Sequence, residues 1–234
     1  MIGIIGAMSI EINGLVKELR EVKATKIASL IFKEGFLCGK RVVIVRSGIG
    51  KVAAACATAI LLTHYSNIEY VINLGVCGGL KKGTRHGDVI VANRSVQHDY
   101  DLTAGGAPAG KVEGYEDVFF SHDKQLPKKV AVLRRDKIGQ VGEPVYHFGT
   151  IASGDQFISD NNKSKWIQET FSAIAVDMET AAIAQVCTMF GARFLCLRTV
   201  SDKADDDAAE SCEEFGEIAA KRSIEVVKEI ISHE

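Results

Sequence analysis

The chain has 234 residues, 47 % of them hydrophobic and 25 % charged, with a net charge of −2. That is enough apolar material for one substantial core. It excludes disorder, and the balanced charge offers no basic face for nucleic acid. Cys38, Cys56, Cys77, Cys187, Cys196 and Cys212 are scattered, mostly within apolar runs, and form no CxxC pair. They read as buried free thiols in a reducing compartment, not as a disulfide framework or a zinc site. The sequence shows no signal-peptide pattern, no apolar run of transmembrane length and no Pro/Gly/Ser linker. The expectation is a single cytoplasmic α/β domain spanning residues 1–234, with no membrane partner.

Residues 2–8 read as a buried strand ending at small residues. Ser9 is placed to cap a helix whose apolar positions, Ile12, Leu15, Val16 and Leu19, follow helical spacing. Glu11 falls in the first turn, where an acid complements the helix dipole. Residues 27–32 and 36–37 alternate around Gly35 and suggest paired antiparallel strands. A strand over residues 41–46 then runs into Ser47-Gly48-Ile49-Gly50-Lys51 and an Ala-rich helix over residues 52–63. This turn has the look of a phosphate cradle but fits neither G-x-x-x-x-G-K-[ST] nor G-x-G-x-x-G. Alternatively, its glycines admit a flat ligand close to the backbone.

Residues 70–80 form a strand with a bare-backbone exit, and residues 88–92 another. His98 to Ser121 is a long irregular segment of the kind that serves as a lid or a subunit contact. His98 and Asp99, which open it, suit a structural hydrogen-bonding role better than a metal site. A helix over residues 126–135 presents Lys128, Lys129, Arg134 and Arg135 to solvent. A strand over residues 145–153 ends in Gly154-Asp155-Gln156-Phe157-Ile158, where Phe157 is either core or a stacking face for a base. Asn161 or Asn162 caps the next helix, which carries Trp166 and Ile167.

Ile174 to Val176 then gives way to the helical pattern of residues 181–189, with Asp177 and Glu179 at the strand's exit. In extended backbone these two acids point the same way, with Met178 between them. The plainer reading is that they open a helix. A last strand, residues 194–200, contains Arg198, which needs a carboxylate partner if it is buried. The strand leads into Ser201-Asp202. The acidic run Asp205 to Asp207 opens a terminal helix that packs through Phe215, Ile218, Ala219, Ile224, Val227, Ile230 and Ile231. Acids or bare glycine thus stand at four strand exits: Glu11, residues 75–79, residues 177–179 and Asp202. Open α/β sheets bind ligands at such exits. No serine has an assigned His partner, so acyl transfer is unsupported.

In order and approximate spacing, Gly-Ala-Met with Glu11, the 47–51 turn, residues 73–80, 153–158, 176–180 and Ser201-Asp202 resemble the bacterial 5'-methylthioadenosine/S-adenosylhomocysteine nucleosidases. These belong to the purine nucleoside phosphorylase superfamily. The resemblance covers nearly the whole chain. It implies a three-layer α/β/α sandwich around a mixed, partly barrel-like central sheet, and a homodimer. It implies hydrolysis of the N-glycosidic bond to release adenine, with no metal or organic cofactor. By resemblance, Glu11 is the general base that activates water, with Arg198 near that water. Glu179 holds the ribose hydroxyls, with Met178 on the sugar face. Asp202 protonates purine N7, Phe157 stacks on the base, the Ile158 backbone reads its edge, and Gly78 lies against it. Met8 and Ile49 line the sugar and 5' region.

The chemistry fits these roles. Breaking the bond places positive charge on the sugar and negative charge on the base, so a carboxylate belongs near the first and a proton donor near the second. Asp202 must then hold its proton near neutral pH, so its pKa must be raised. Two departures from the family pattern stand out. Val76 replaces the family's water-holding serine. The segment around Gly105 lacks the aromatic that lines the 5' pocket, an apolar contact worth about 1–2 kcal/mol. Other 5'-modified adenosines, including an aminodeoxyfutalosine-like nucleoside, stay open. So do a phosphate-dependent purine or uridine phosphorylase, for which Arg46 and Lys51 speak, and a non-catalytic nucleoside-binding protein.

Overall fold

The structure, a computed structural model, describes residues 1–134 and 143–233. Strand β1 (Ile2–Gly6) is buried along its whole length. Its Ile2 and Ile4 join an apolar cluster with α1 (Ser9–Glu18) and α6 (Ala208–Ser232), whereas Ile5 joins another with α2 (Lys51–His64) and α5 (Thr180–Phe190). This is the two-residue period of a strand covered on both faces. The same split recurs in β4 (Lys40–Arg46), where Val42 and Ile44 oppose Val43 and Val45. In β5 (Tyr70–Gly79), Ile72 and Leu74 oppose Val71. Helices therefore cover both faces of the sheet, giving three layers.

At one end, β2 (Arg20–Ile27), β3 (Leu30–Leu37) and β4 form an antiparallel meander, and β4, β1 and β5 run parallel. At the other, the sheet closes on itself through β5, β10 (Arg193–Asp202), β6 (Val89–Gln97), β8 (Tyr146–Ser153) and β9 (Ala173–Asp177). Closure depends on antiparallel pairing of Gly78 and Gly79 with Val176 and Ala175. The sheet is thus mixed and partly barrel-like. A short β7 (Phe120–Ser121) pairs with β6. The remaining helices are α3 (Leu126–Arg134) and α4 (Asn161–Phe171). No helix among the described residues is long and apolar enough to cross a membrane.

Register assembles the site. Along β5 and β10, Gly75 lies beside Arg198 and Gly78 beside Asp202, while Ser153 pairs with Asp177 across β8 and β9. These are the C-terminal ends of the parallel strands, where a crevice forms in this class of sheet.

Several local expectations are corrected. Residues 20–27 form a strand that the pattern did not suggest. Its side chains are mostly exposed, so it carries no apolar alternation and is held by pairing with β3. Ser9 is the first residue of α1, not its cap, and its hydroxyl accepts from Arg46 Nη1 at 2.8 Å. Asp160, not Asn161 or Asn162, caps α4 by accepting from the Lys163 amide at 2.7 Å. Cys38 and Cys56 are exposed, and Cys212 is half-buried, so only three of the six thiols are interior. Ile218 is 57 % exposed and lies off the buried face of α6. Lys128 and Lys129 are solvated as expected, while Arg135 and the Arg134 side chain lie outside the described residues.

Candidate active site

A cavity of about 150 Å³ opens where these strand ends meet. Its wall contains Met8, Glu11, Ile49, Val76, Gly78, Phe157, Ile158, Asp177, Met178, Glu179, Arg198 and Asp202, while Arg46, Lys51, His98 and Asp99 lie outside it. Three separate stretches of the chain supply its charged groups: Glu11, Asp177 with Glu179, and Arg198 with Asp202.

Arg198 organises the acids. It projects from the middle of β10 and is 1 % exposed. Its Nη2 lies 2.6 Å from Asp177 Oδ2 and 3.0 Å from Glu179 Oε2, and Nη1 lies 3.7 Å from Glu11 Oε1. Nη1 also donates to the Val76 carbonyl at 3.1 Å, and Nη2 to Asn73 Oδ1 at 3.0 Å. Burial opposes the guanidinium charge, but Asp177, Glu179 and Glu11 outweigh it and raise the pKa above its usual value. A buried cation is tolerated only when compensated in this way.

Glu11 is held by amides from two parts of the chain. Oε2 accepts from the amides of Ala7 at 2.7 Å and Met8 at 2.8 Å, at the start of α1. Oε1 accepts from the Val76 amide at 3.0 Å. The carboxylate complements the helix start and is at the same time fixed in the cavity wall. Gly75 leaves the space this requires: with φ +149, a Cβ there would collide with the Glu11 carboxylate and come within 2.6 Å of Arg198 Nη1. Gly78 leaves the matching space for Asp202, whose Oδ1 would stand 2.8 Å from an added Cβ.

Glu179 occupies the residue before α5 but does not cap it. Its Oε1 accepts from the Gly50 amide at 2.9 Å, and its Oε2 faces Arg198. Burial pushes this carboxyl up to about 6; Arg198 pulls down, and Asp177 adds to the rise. Asp177 is the acid that ties α5 to the sheet. It accepts from Ser153 Oγ at 2.5 Å and from the Thr180 amide at 3.1 Å, besides pairing with Arg198. Its oxygens are engaged by protein groups although the residue lines the cavity.

Asp202 stands apart from this cluster. Oδ2 accepts from Ser201 Oγ and Oδ1 from the Ala204 amide, each at 2.9 Å. Burial raises its pKa, and those two hydrogen bonds oppose the rise only in part. The site therefore separates its acids. One group is tied to a cation, and one is biased toward keeping its proton, the arrangement expected of a base and an acid sharing a site. Phe157 is 50 % exposed, so its ring is a free face at the cavity and not core, while Ile158 beside it is buried.

The Gly-rich turn is already committed. The Gly50 amide serves Glu179, the Lys51 amide donates to Asp155 Oδ1 at 2.7 Å, and Lys51 Nζ donates to Asp99 at 2.7 Å and Gln97 at 3.0 Å. Carboxylates occupy the places a phosphate would need. Asp99 also accepts from the Asp155 amide at 2.9 Å, the structural role expected of it. His98 is buried, with neither ring nitrogen hydrogen-bonded, and burial lowers its pKa to about 4. No group of three His, Cys, Asp or Glu among the described residues could hold a metal.

Sequence reasoning did not single out Asn73, Asp155, Gln156 or Cys212. Asn73 joins Arg198 to Thr180 Oγ1, and Asp155 holds the start of α2 from 104 residues away. Gln156 and Cys212 line the cavity. An Asn inside the strand pattern of residues 70–80 was the one available signal; the other three acquire meaning only from tertiary placement.

The comparisons agree with this geometry. A model of the phosphorylase superfamily matches residues 1–232. The chain is 40 % identical over 227 residues to the 5'-methylthioadenosine/S-adenosylhomocysteine nucleosidase of Exiguobacterium sp., covering 97 % of this chain and 95 % of the relative. It superposes on the Neisseria meningitidis nucleosidase bound to methylthio-immucillin-A with TM-score 0.93 and 38 % identity, covering 100 % and 99 % of the two chains. The Helicobacter pylori futalosine hydrolase matches with TM-score 0.93 and 30 % identity, covering 100 % and 97 %. The chain therefore belongs to the 5'-methylthioadenosine/S-adenosylhomocysteine nucleosidases of the phosphorylase superfamily.

Proposed function

We propose that this nucleosidase cleaves the N-glycosidic bond of 5'-methylthioadenosine and S-adenosylhomocysteine with Glu11 as general base, Asp202 as general acid and Glu179 as the ribose anchor. The observation that carries the reading is the convergence of these three acids on one cavity, with only Asp202 outside the grip of Arg198. The base stacks on Phe157 and lies over Gly78. Asp202, raised by burial, donates to N7 as the bond breaks, so the base departs neutral. Glu179 accepts from the ribose hydroxyls and adds negative charge near the developing oxocarbenium ion. Glu11, oriented by three backbone amides, takes the proton of the attacking water. Val76 offers that water an amide already given to Glu11 and no hydroxyl.

Hydrolysis, not phosphorolysis, is favoured because Glu11 would repel phosphate and Lys51 is paired with Asp99. The test is adenine release from 5'-methylthioadenosine in phosphate-free H2(18)O. Label at sugar C1 is expected, and strict dependence on phosphate would end the hydrolase reading. We place the enzyme in the cytoplasm, where it recycles sulfur in methionine salvage. We also infer a homodimer through the outer face of α2 and α5, where Val52 is 81 % and Met189 67 % exposed. Light scattering reads the mass directly, and a monomer at micromolar concentration would remove that inference.

A further inference from the structure

A groove of about 610 Å³ adjoins the catalytic cavity without sharing a residue with it. The two meet at consecutive residues of two chain segments. Gly78 lines the cavity and Gly79 the groove; Asp202 lines the cavity and Lys203 the groove. The groove is bounded by the loop after β5, the segment after β10 and one face of α4. Asn161, Ser164, Lys165 and Gln168 form that face, at the spacing of residues on one side of a helix.

Its lining is strongly cationic. Lys81, Lys82, Arg85, Lys165 and Lys203 stand against one acid, Asp205. This surplus of four positive charges sits in a chain whose net charge is −2, so the rest of the molecule carries −6. Lys81, Lys82, Arg85 and Lys203 have no carboxylate partner among the described residues. Lys165 meets Glu169 only at 3.9 Å, with both side chains exposed. Two nearby acids are already engaged: Asp160 accepts from the Lys163 amide at 2.7 Å and Asp206 from Asn161 Nδ2 at 2.5 Å. The loop that gathers the cations is fixed at several points. Thr84 is buried, and its amide and hydroxyl donate to the Lys81 carbonyl at 3.1 Å and 2.8 Å. The Leu80 and Lys81 amides donate to the Ile174 carbonyl at 2.9 Å and 3.1 Å, and Gln168 Nε2 donates to the Leu80 carbonyl at 3.0 Å. A concave surface lined by one sign of charge focuses its field on whatever enters.

We propose that this groove binds a small oligophosphate anion, either the phosphate chain of a nucleoside triphosphate or free inorganic triphosphate. Its volume is that of a small-molecule site. Arg85 is suited to bidentate contact with phosphate oxygens, and the lysines supply point charges around it. A lone phosphate brings about two negative charges and would leave half of the surplus uncompensated. A long nucleic acid would run beyond the groove onto a surface of its own sign.

The experiment is isothermal titration calorimetry of the full chain with inorganic triphosphate and with cytidine triphosphate, in magnesium-free buffer at low and high salt. Lys82→Gln and Arg85→Gln change exposed residues and are each expected to weaken binding about fivefold, the upper range for one exposed ion pair. Together they weaken it more than about tenfold. Salt weakens wild-type binding. Lys128→Gln, on the solvated face of α3 and outside the groove, leaves it unchanged. Equal affinity for the two ligands assigns recognition to the phosphate chain, and tighter cytidine triphosphate adds a nucleoside contact to it. No heat of binding from either ligand at millimolar concentration overturns the proposal. So does equal weakening by Lys128→Gln, or displacement of the triphosphate by saturating adenine, which would put it in the catalytic cavity. Binding of a short RNA with neither triphosphate bound overturns it in favour of nucleic acid.

Discussion

Replacing Arg198 with methionine tests the electrostatic frame of the site. The side chain is 1 % exposed and compensates Asp177 at 2.6 Å, Glu179 at 3.0 Å and Glu11 at 3.7 Å. Methionine fills similar volume but leaves three buried acids without their cation. Removing one partner of a buried ion pair costs about 3–5 kcal/mol, and for a chain of this size that lowers Tm by about 10 °C. The loss should depend on pH. Burial already raises the Glu179 carboxyl and Arg198 holds it down, so without Arg198 it rises further above its unfolded value and the native state binds more protons than the unfolded state. Stability then falls as pH rises through that interval. Urea unfolding at pH 5 and pH 7.5 reads this directly, and the deficit relative to wild type should be smaller at the lower pH. A deficit below about 1 kcal/mol, or one equal at both pH values, would show that the acids do not depend on Arg198.

Further outcomes follow from the same geometry. Burial raises the Glu179 carboxyl to about 6, so below that pH it takes up a proton and loses acceptor capacity for the ribose hydroxyls. The kcat/KM profile should show an acid limb near pH 6 that is absent in Glu179→Gln, and an unaltered limb in that variant would assign it elsewhere. Phe157→Ala should raise KM about tenfold with a smaller change in kcat, since base stacking on an aromatic is worth about 1–3 kcal/mol. Steady-state kinetics with 5'-methylthioadenosine checks this, and an unchanged KM would place the base away from that ring.

Much of the frame was legible from residue pattern. The apolar runs of β1, β4 and β5 alternate between two helical layers, and their small-residue exits mark the crevice. Arg198 inside an apolar strand required a counter-charge, and it has three. The first-turn position of Glu11 suggested only a helix start, and the resemblance gave it a catalytic role. The structure adds that its two oxygens face different amides, one at the helix start and one on β5, so the carboxylate at the helix start is also fixed in the cavity wall. What the pattern could not give depends on distance through space. β2 is charged and exposed, so its pairing with β3 left no periodic trace. The pattern around Lys51 left a phosphate cradle and a close approach of a flat ligand both open, and the ammonium's partner, Asp99, stands 48 residues on. Asp155 and Cys212 act or line the site only through packing between remote segments.

The most direct test of the central claim is turnover by Asp202→Asn. Asparagine keeps the shape at that position but has no carboxyl proton to donate. The account predicts that adenine release from 5'-methylthioadenosine at neutral pH falls at least about a hundredfold, the low end for general acid catalysis, while KM changes little. Turnover close to wild type would contradict it, because the purine would then be leaving without a proton from Asp202.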